Sequence, residues 1–220
     1  MGSDMLSRKK TPYMLSMRIV AISDVHGKYK SVTLPDGDLL VVAGDCLSRG
    51  TITELVDFNE WLGTLPHKHK IVIAGNHDET LQHMTSPSKF ITNASYLRDQ
   101  EIVIEGKRIY GTPWTPTYGH WAFMASEAVL SNHFLKIPSG LDLLITHGPP
   151  HTILDLTLTN ERAGGRALYE AVKRANPRYH VFGHIHEGYG KLVIADTTFL
   201  NVSTCTRAYQ PTNPPVVFDI

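Results

Sequence analysis

Five short apolar runs, each delivering an aspartate, asparagine or histidine at its end, constrain this chain more than any other feature. "MRIVAIS" (17–23) runs into Asp24-Val25-His26-Gly27, "DLLVVAG" (38–44) into Asp45, and "KIVIAG" (70–75) into Asn76-His77-Asp78. "DLLIT" (142–146) ends in His147-Gly148, and "YHVFG" (179–183) in His184-Ile185-His186. Runs this rich in Val, Ile and Leu, closed by turn residues, read as strands buried on both faces. In parallel sheets the carboxyl ends of such strands open onto one crevice, so residues distant in sequence meet there. Side chains at i and i+2 of an extended segment project to the same side. Asp24 with His26, and His184 with His186, therefore each aim two donors at one place.

Helical patterns lie between the runs. "TITELVDFNEWLGTLP" carries apolar residues at Leu55, Phe58, Trp61 and Leu62, with Thr51 or Thr53 as cap and Gly63 and Pro66 as stop signals. "WAFMASEAVLSNHFLKIP" (121–138) and "GGRALYEAVKRANP" (164–177) read as two more helices, and "EIVIEG" with "RIYGTPW" as a strand pair. After residue 190 the pattern turns β-rich: "KLVIAD", "TTFLNVSTCT" and "PVVFDI". An α/β fold of two stacked mixed sheets with helices outside accommodates both halves. Residues 1–16 read as a flexible N-terminal arm and 17–220 as one domain.

Lys plus Arg equals Asp plus Glu at 21 each, so no global field favours a nucleic-acid polymer or an anionic membrane. Cys46 and Cys205 lie far apart and in no CxxC arrangement, which suits a reducing compartment. No apolar run approaches the roughly 20 residues needed to cross a bilayer. A cytoplasmic, soluble protein is expected.

Taken singly, each strand end has an ordinary reading. Gly44-Asp45 is a common turn, Asn76 or Asp78 caps a following helix, and His147 before Gly-Pro-Pro sits in a loop. Seven such donors after apolar runs are better explained by a metal site. His67, His69, His83, His120, His133 and His180 lie outside the strand ends and read as surface or structural, while His151 is close enough to stay open.

The blocks "DVH", "GD", "GNHD", "THG" and "GHIH", in this order from residue 24 to 186, resemble the signature of the calcineurin-like metallophosphoesterase superfamily. "FNEWLGTLPHKHKIVIAGNH", "RIYGTPWTP", "ITHGPP", "HVFGHIHEGYG" and "NVSTCTRAYQPTNPPVVFDI" are similar to the metallophosphoesterase-domain-containing (MPPED) proteins, and that likeness spans nearly everything from Met17 to Ile220. The resemblance implies an α/β/β/α sandwich and two divalent metal ions. Asp24, His26 and His186 would hold the first, Asn76, His147 and His184 the second, and Asp45 would bridge them. One carboxylate can span two cations about 3.5–4 Å apart, and a water between them, its pKa lowered toward neutrality, would attack phosphorus in line. Donors of this kind with no thiolate favour Mn²⁺, with Fe or Zn²⁺ as alternatives, over Ca²⁺.

Two departures from the superfamily pattern concern "GDCLSRG". Ser48 stands where many members carry Asp or Asn, and Arg49-Gly50 resembles the phosphatase branch, where the arginine grips phosphate. Arg49 is thus either a substrate-binding clamp or a solvated loop residue. Some MPPED proteins have glycine where His184 stands. His77, next to Asn76 and needed in neither metal shell, is expected as general acid and substrate contact, with Asp78 holding its imidazole. The implied function is a phosphodiesterase acting on cyclic nucleotides or small phosphodiesters, with Trp114, Tyr118, Trp121 and Tyr189 as a stacking wall or as packing. The alternatives are a phosphomonoesterase or protein phosphatase, and a weakly catalytic, metal- and nucleotide-binding regulatory protein.

Overall fold

A computed structural model describes residues 16–220, so the expected arm, apart from its last residue, lies outside the described residues. Two sheets carry the fold. The first sheet orders its strands β13 (Val216–Asp219), β1 (Arg18–Ile22), β2 (Leu39–Ala43), β3 (His69–Ile73) and β4 (Ser95–Tyr96). Only β13 runs antiparallel to its neighbour. The second sheet orders β11 (Gly190–Ile194), β12 (Thr197–Asn201), β10 (Tyr179–Phe182), β9 (Leu143–Thr146), β6 (Lys107–Thr112) and β5 (Gln100–Ile104). Its four inner strands are parallel and both edges antiparallel. Two short strands, β7 (Thr115–Pro116) and β8 (Met124–Ala125), pair with each other apart from these sheets.

The strands alternate between two cores. Ile19, Ala21, Leu39, Val41, Ile71 and Ile73 turn toward the second sheet and pack with Ile109, Leu143, Ile145, Val181 and Leu200. Val20, Ile22, Leu40, Val42 and Val72 turn outward onto α1 (Ile52–Thr64), which buries Leu55, Phe58, Trp61 and Leu62 against them. Across the molecule, Tyr110, Leu144, Phe182 and Phe199 take the apolar faces of α3 (Glu127–Phe134) and α4 (Arg166–Ala175). The expected α/β/β/α layering follows from this alternation, since inner strands buried on both faces need a cover on each.

Helix limits follow local chemistry. Thr51 closes a capping box with Glu54, which starts α1 where Thr51 rather than Thr53 is the cap. The helix expected over 121–138 is shorter. Phe123 lies in the left-handed region, and its carbonyl accepts from the Thr115 N–H, so the chain pairs as β8 before α3 begins at Glu127. The helix after Asn76 is the short α2 (Glu79–His83). No helix among the described residues is long and apolar enough to cross a membrane.

Ile145 is fully buried between the sheets. Ile145→Ala should cost about 2–5 kcal/mol in urea unfolding, as for other large-to-small core changes. A cost below about 1 kcal/mol would contradict a close-packed seam between the sheets.

Candidate metal centre

The two sheets meet at their carboxyl ends. Ser23, after β1, forms a parallel bridge with Ser203, after β12: the Ser23 N–H donates to the Val202 carbonyl and the Thr204 N–H to the Ser23 carbonyl. The ends of β1, β2 and β3 from one sheet and of β9 and β10 from the other therefore open onto one crevice. It contains Asp24, His26, Asp45, Asn76, His147, His184 and His186, of which all but the last two are buried.

Turning the chain at the ends of β1, β2 and β10 strains it. Asp24, His26, Asp45 and His184 adopt φ of +53°, +43°, +51° and +68°. Left-handed conformations cost a non-glycine residue about 1–3 kcal/mol each and persist where the surroundings over-determine them. Close approach needs glycine beside them. A Cβ on Gly183 would clash with the Asp24 carboxylate, and one on Gly75 with the Asp45 carboxylate.

Three groups have donor atoms within 4.8 Å of one another: Asp24, His26 and His186; Asp45, His147 and His184; and His26, Asp45 and His77. His26 Nε2 and His186 Nε2 face each other at 3.3 Å, and His147 Nε2 lies 3.0 Å from Asn76 Oδ1 and 3.4 Å from Asp45 Oδ1. Asp45 Oδ2 is 3.8 Å from His26 Nε2, so its two oxygens reach toward different groups. The second nitrogens of two of these histidines are committed elsewhere. His147 Nδ1 donates to the Ala43 carbonyl and His186 Nδ1 to the Thr206 carbonyl, each at 3.0 Å. Such bonds leave Nε2 as the donor for a cation and fix the ring's orientation. Two carboxylates, an amide oxygen and convergent imidazoles without a thiolate fit divalent transition-metal ions.

The electrostatics agree. Burial pushes Asp24 upward, but the hydrogen bond and charge of His186 prevail and hold it well below the usual carboxylate range. Asp45 is likewise raised by burial and lowered further by His147, ending low. Their negative charge overcomes burial at His147 and His186, each raised to about 9. Burial lowers His26 to about 4, and desolvation together with His147 lowers His184 to about 3.

One expectation is corrected. Asp78 does not hold the His77 imidazole. Its buried carboxylate accepts from the N–H groups of Gly75 at 2.8 Å, Leu47 at 2.9 Å and Cys46 at 3.2 Å, tying the loops that carry Asp45 and Asn76. His77 Nδ1 donates instead to the Ser48 carbonyl at 3.1 Å, and its ring stacks on Trp121 at 4.6 Å. Arg49 is exposed and does not line the cleft above the crevice. Its loop is drawn toward α1 by the bond from its own N–H to Glu54.

That cleft measures about 750 Å³. His77 and Tyr118 line it, and His151 does too, 3.8 Å from buried Asp155. Of the expected wall, Trp114 donates its indole N–H to Asp99 and Tyr189 its hydroxyl to the Pro214 carbonyl, so these two serve packing. Sequence reasoning missed Ser203, whose Oγ lies 2.9 Å from Asp24 Oδ2, along with Thr206, Arg207 and Tyr209. The available signal was that β12 is a further parallel strand whose end reaches the crevice.

The fold and this crevice define a metal-dependent phosphoesterase, and the sequence model described as calcineurin-like phosphoesterase matches residues 17–188. The chain belongs to that family, in its metallophosphoesterase-domain-containing branch. It is 42% identical over 230 residues to metallophosphoesterase domain-containing protein 1 of Homo sapiens, spanning 92% of this chain and 71% of that protein, with the same figures for the Mus musculus protein. Among solved structures, phosphopantetheinyl hydrolase from Mycobacterium tuberculosis shares the fold, with a TM-score of 0.61 at 16% identity over 90% of this chain and 95% of that one.

If Asp45 serves two cations, Asp45→Asn should lower metal content by both equivalents together, read by elemental analysis after dialysis; loss of one equivalent alone would contradict a shared ligand. Metal binding needs neutral imidazole, so cations must displace the protons that His147 and His186 hold below about pH 9. Calorimetry in buffers of different ionisation enthalpy should show proton release near pH 7 that fades toward pH 10. Equal release at both would contradict the raised histidines.

Proposed function

We propose that this chain is a dinuclear-metal-dependent phosphodiesterase acting on cyclic nucleotides or other small phosphodiesters. The observation that carries the reading is the cleft of about 750 Å³ directly above the metal-ligating groups, a volume typical of small-molecule sites. Tyr118, about half exposed, lines it with its ring 5.7 Å from that of His184, which suits stacking against a base. Arg49, the residue that favoured phosphomonoesters, does not line the cleft.

Asp24, His26 and His186 would hold one cation, Asn76, His147 and His184 the other, with Asp45 between them, and manganese suits this donor set best. Two cations held there supply Lewis-acid polarisation of phosphoryl oxygens and a water of lowered pKa. The protein's own residues do the rest. Asp24 and Asp45 contribute two negative charges against four positive, so the loaded site stays positive and draws a phosphate. His77 carries the proton for the leaving alkoxide. With Nδ1–H engaged by Ser48, the proton delivered is the one on Nε2. Trp121, stacked on the ring, keeps it in place.

His77→Asn should keep both metals and lose about 100- to 10,000-fold in turnover of a diester with a poor leaving group. Undiminished turnover would remove the general acid. The substrate class is tested by metal-reconstituted protein on 2′,3′-cyclic and 3′,5′-cyclic nucleotides beside a phosphomonoester panel. Faster diester hydrolysis is expected, and faster monoester hydrolysis would overturn it.

A further inference from the structure

The segment after β12 returns to the crevice and closes on itself as a tight turn. The Thr206 N–H donates to the Gln210 carbonyl and the Tyr209 N–H to the Thr206 carbonyl, both at 2.8 Å. Asn213 ties the base of the loop, donating from Nδ2 to the Ser203 carbonyl at 2.9 Å and from its N–H to the Thr204 carbonyl at 3.1 Å. Lys28, two residues past His26, donates from Nζ to the Tyr209 carbonyl. Tyr209 itself sits at φ +55°, so the turn is held in a conformation its sequence would not choose alone.

This turn touches the candidate metal centre at two points. The Thr206 carbonyl fixes His186 through Nδ1, and the Tyr209 ring stands edge-on to His26 at 4.7 Å and to His186 at 5.8 Å. Arg207, between these contacts, lines the cleft, and its guanidinium makes no hydrogen bond or ion pair among the described residues. The other cleft arginines are differently placed. Arg162 is held by Asp155 at 2.8 Å. Arg166 opens α4, and its guanidinium is likewise unpaired among the described residues, but Glu127 accepts from the main-chain N–H groups of Arg166 and Ala167 and so sets a carboxylate at this end of the cleft.

The geometry points to Arg207 as the substrate-binding residue that grips the phosphoryl group, carried on a turn whose backbone also orients His186 and whose tyrosine packs against His26 and His186. This rests on the phosphoesterase reading above and supplies the anion clamp that Arg49 does not. A guanidinium matches two phosphate oxygens at once, whereas an ammonium offers a single point charge. The same turn would link metal binding to phosphate binding, because the Thr206 carbonyl that orients His186 and the side chain of Arg207 are carried on one piece of backbone.

Binding of inorganic phosphate to manganese-loaded protein, followed by calorimetry with metal content measured in parallel, tests this without relying on turnover. Arg207→Ala should weaken phosphate binding by about tenfold or more, the loss expected for a charge-assisted hydrogen bond, at unchanged metal content. Arg207→Lys should recover part of it, and Arg166→Ala should bind as wild type. Wild-type affinity in Arg207→Ala, or the main loss in Arg166→Ala, would overturn the assignment. Preference for monoesters over diesters would refute the proposed substrate class and leave this comparison intact, so the two failures are distinguishable.

Discussion

Two carboxylates buried in one crevice are the constraint on which the rest of this structure depends. Asp24 and Asp45 are 0% and 2% exposed, and burying an ionised carboxylate without compensation is prohibitive. The compensation comes from every side. The His184 N–H and Ser203 Oγ reach Asp24, the His77 N–H reaches Asp45 at 2.8 Å, and His186 and His147 lie 3.5 Å and 3.4 Å from their respective carboxylates. These groups come from both sheets, so the electrostatics of the crevice require the sheets to be stacked and aligned at their ends.

The seam between the sheets supplies that alignment. Packing of Ile19, Val41 and Ile71 against Leu143, Ile145 and Val181 sets which strand ends face each other, and the backbone then bends sharply to deliver the side chains. Four of the seven candidate ligands lie in the left-handed region, a local cost that the hydrophobic core and the bonds around the carboxylates together offset. Stability and function meet here: the seam that holds the fold also holds the donor atoms of each candidate group within 4.8 Å of one another.

Much of this was legible because strand ends obey simple geometry. Short runs of Val, Ile and Leu followed by Asp, Asn or His identify both the parallel strands and the crevice they share, and the i, i+2 spacing marks Asp24 with His26 and His184 with His186. What escaped is the direction in which neighbours point after a turn. Asp78 and His77 are adjacent in sequence, yet the bond from the Asp78 N–H to the Gly75 carbonyl curls the chain so that Asp78 faces three backbone N–H groups and His77 faces the cleft. Arg49 follows a ligand loop in sequence but leaves the crevice because Glu54 draws its backbone to the start of α1. The roles of Thr206 and Ser48 escaped for another reason, since both act through main-chain carbonyls that carry no residue-type signal.

Ligation of two cations by Asp45 is the central proposal. The most direct measurement is a crystal structure of manganese-reconstituted protein with anomalous diffraction collected near the metal edge. Two peaks are predicted, one among Asp24, His26 and His186 and one among Asn76, His147 and His184, with the Asp45 carboxylate contacting both. A single peak, or two peaks with Asp45 bound to only one, would contradict it.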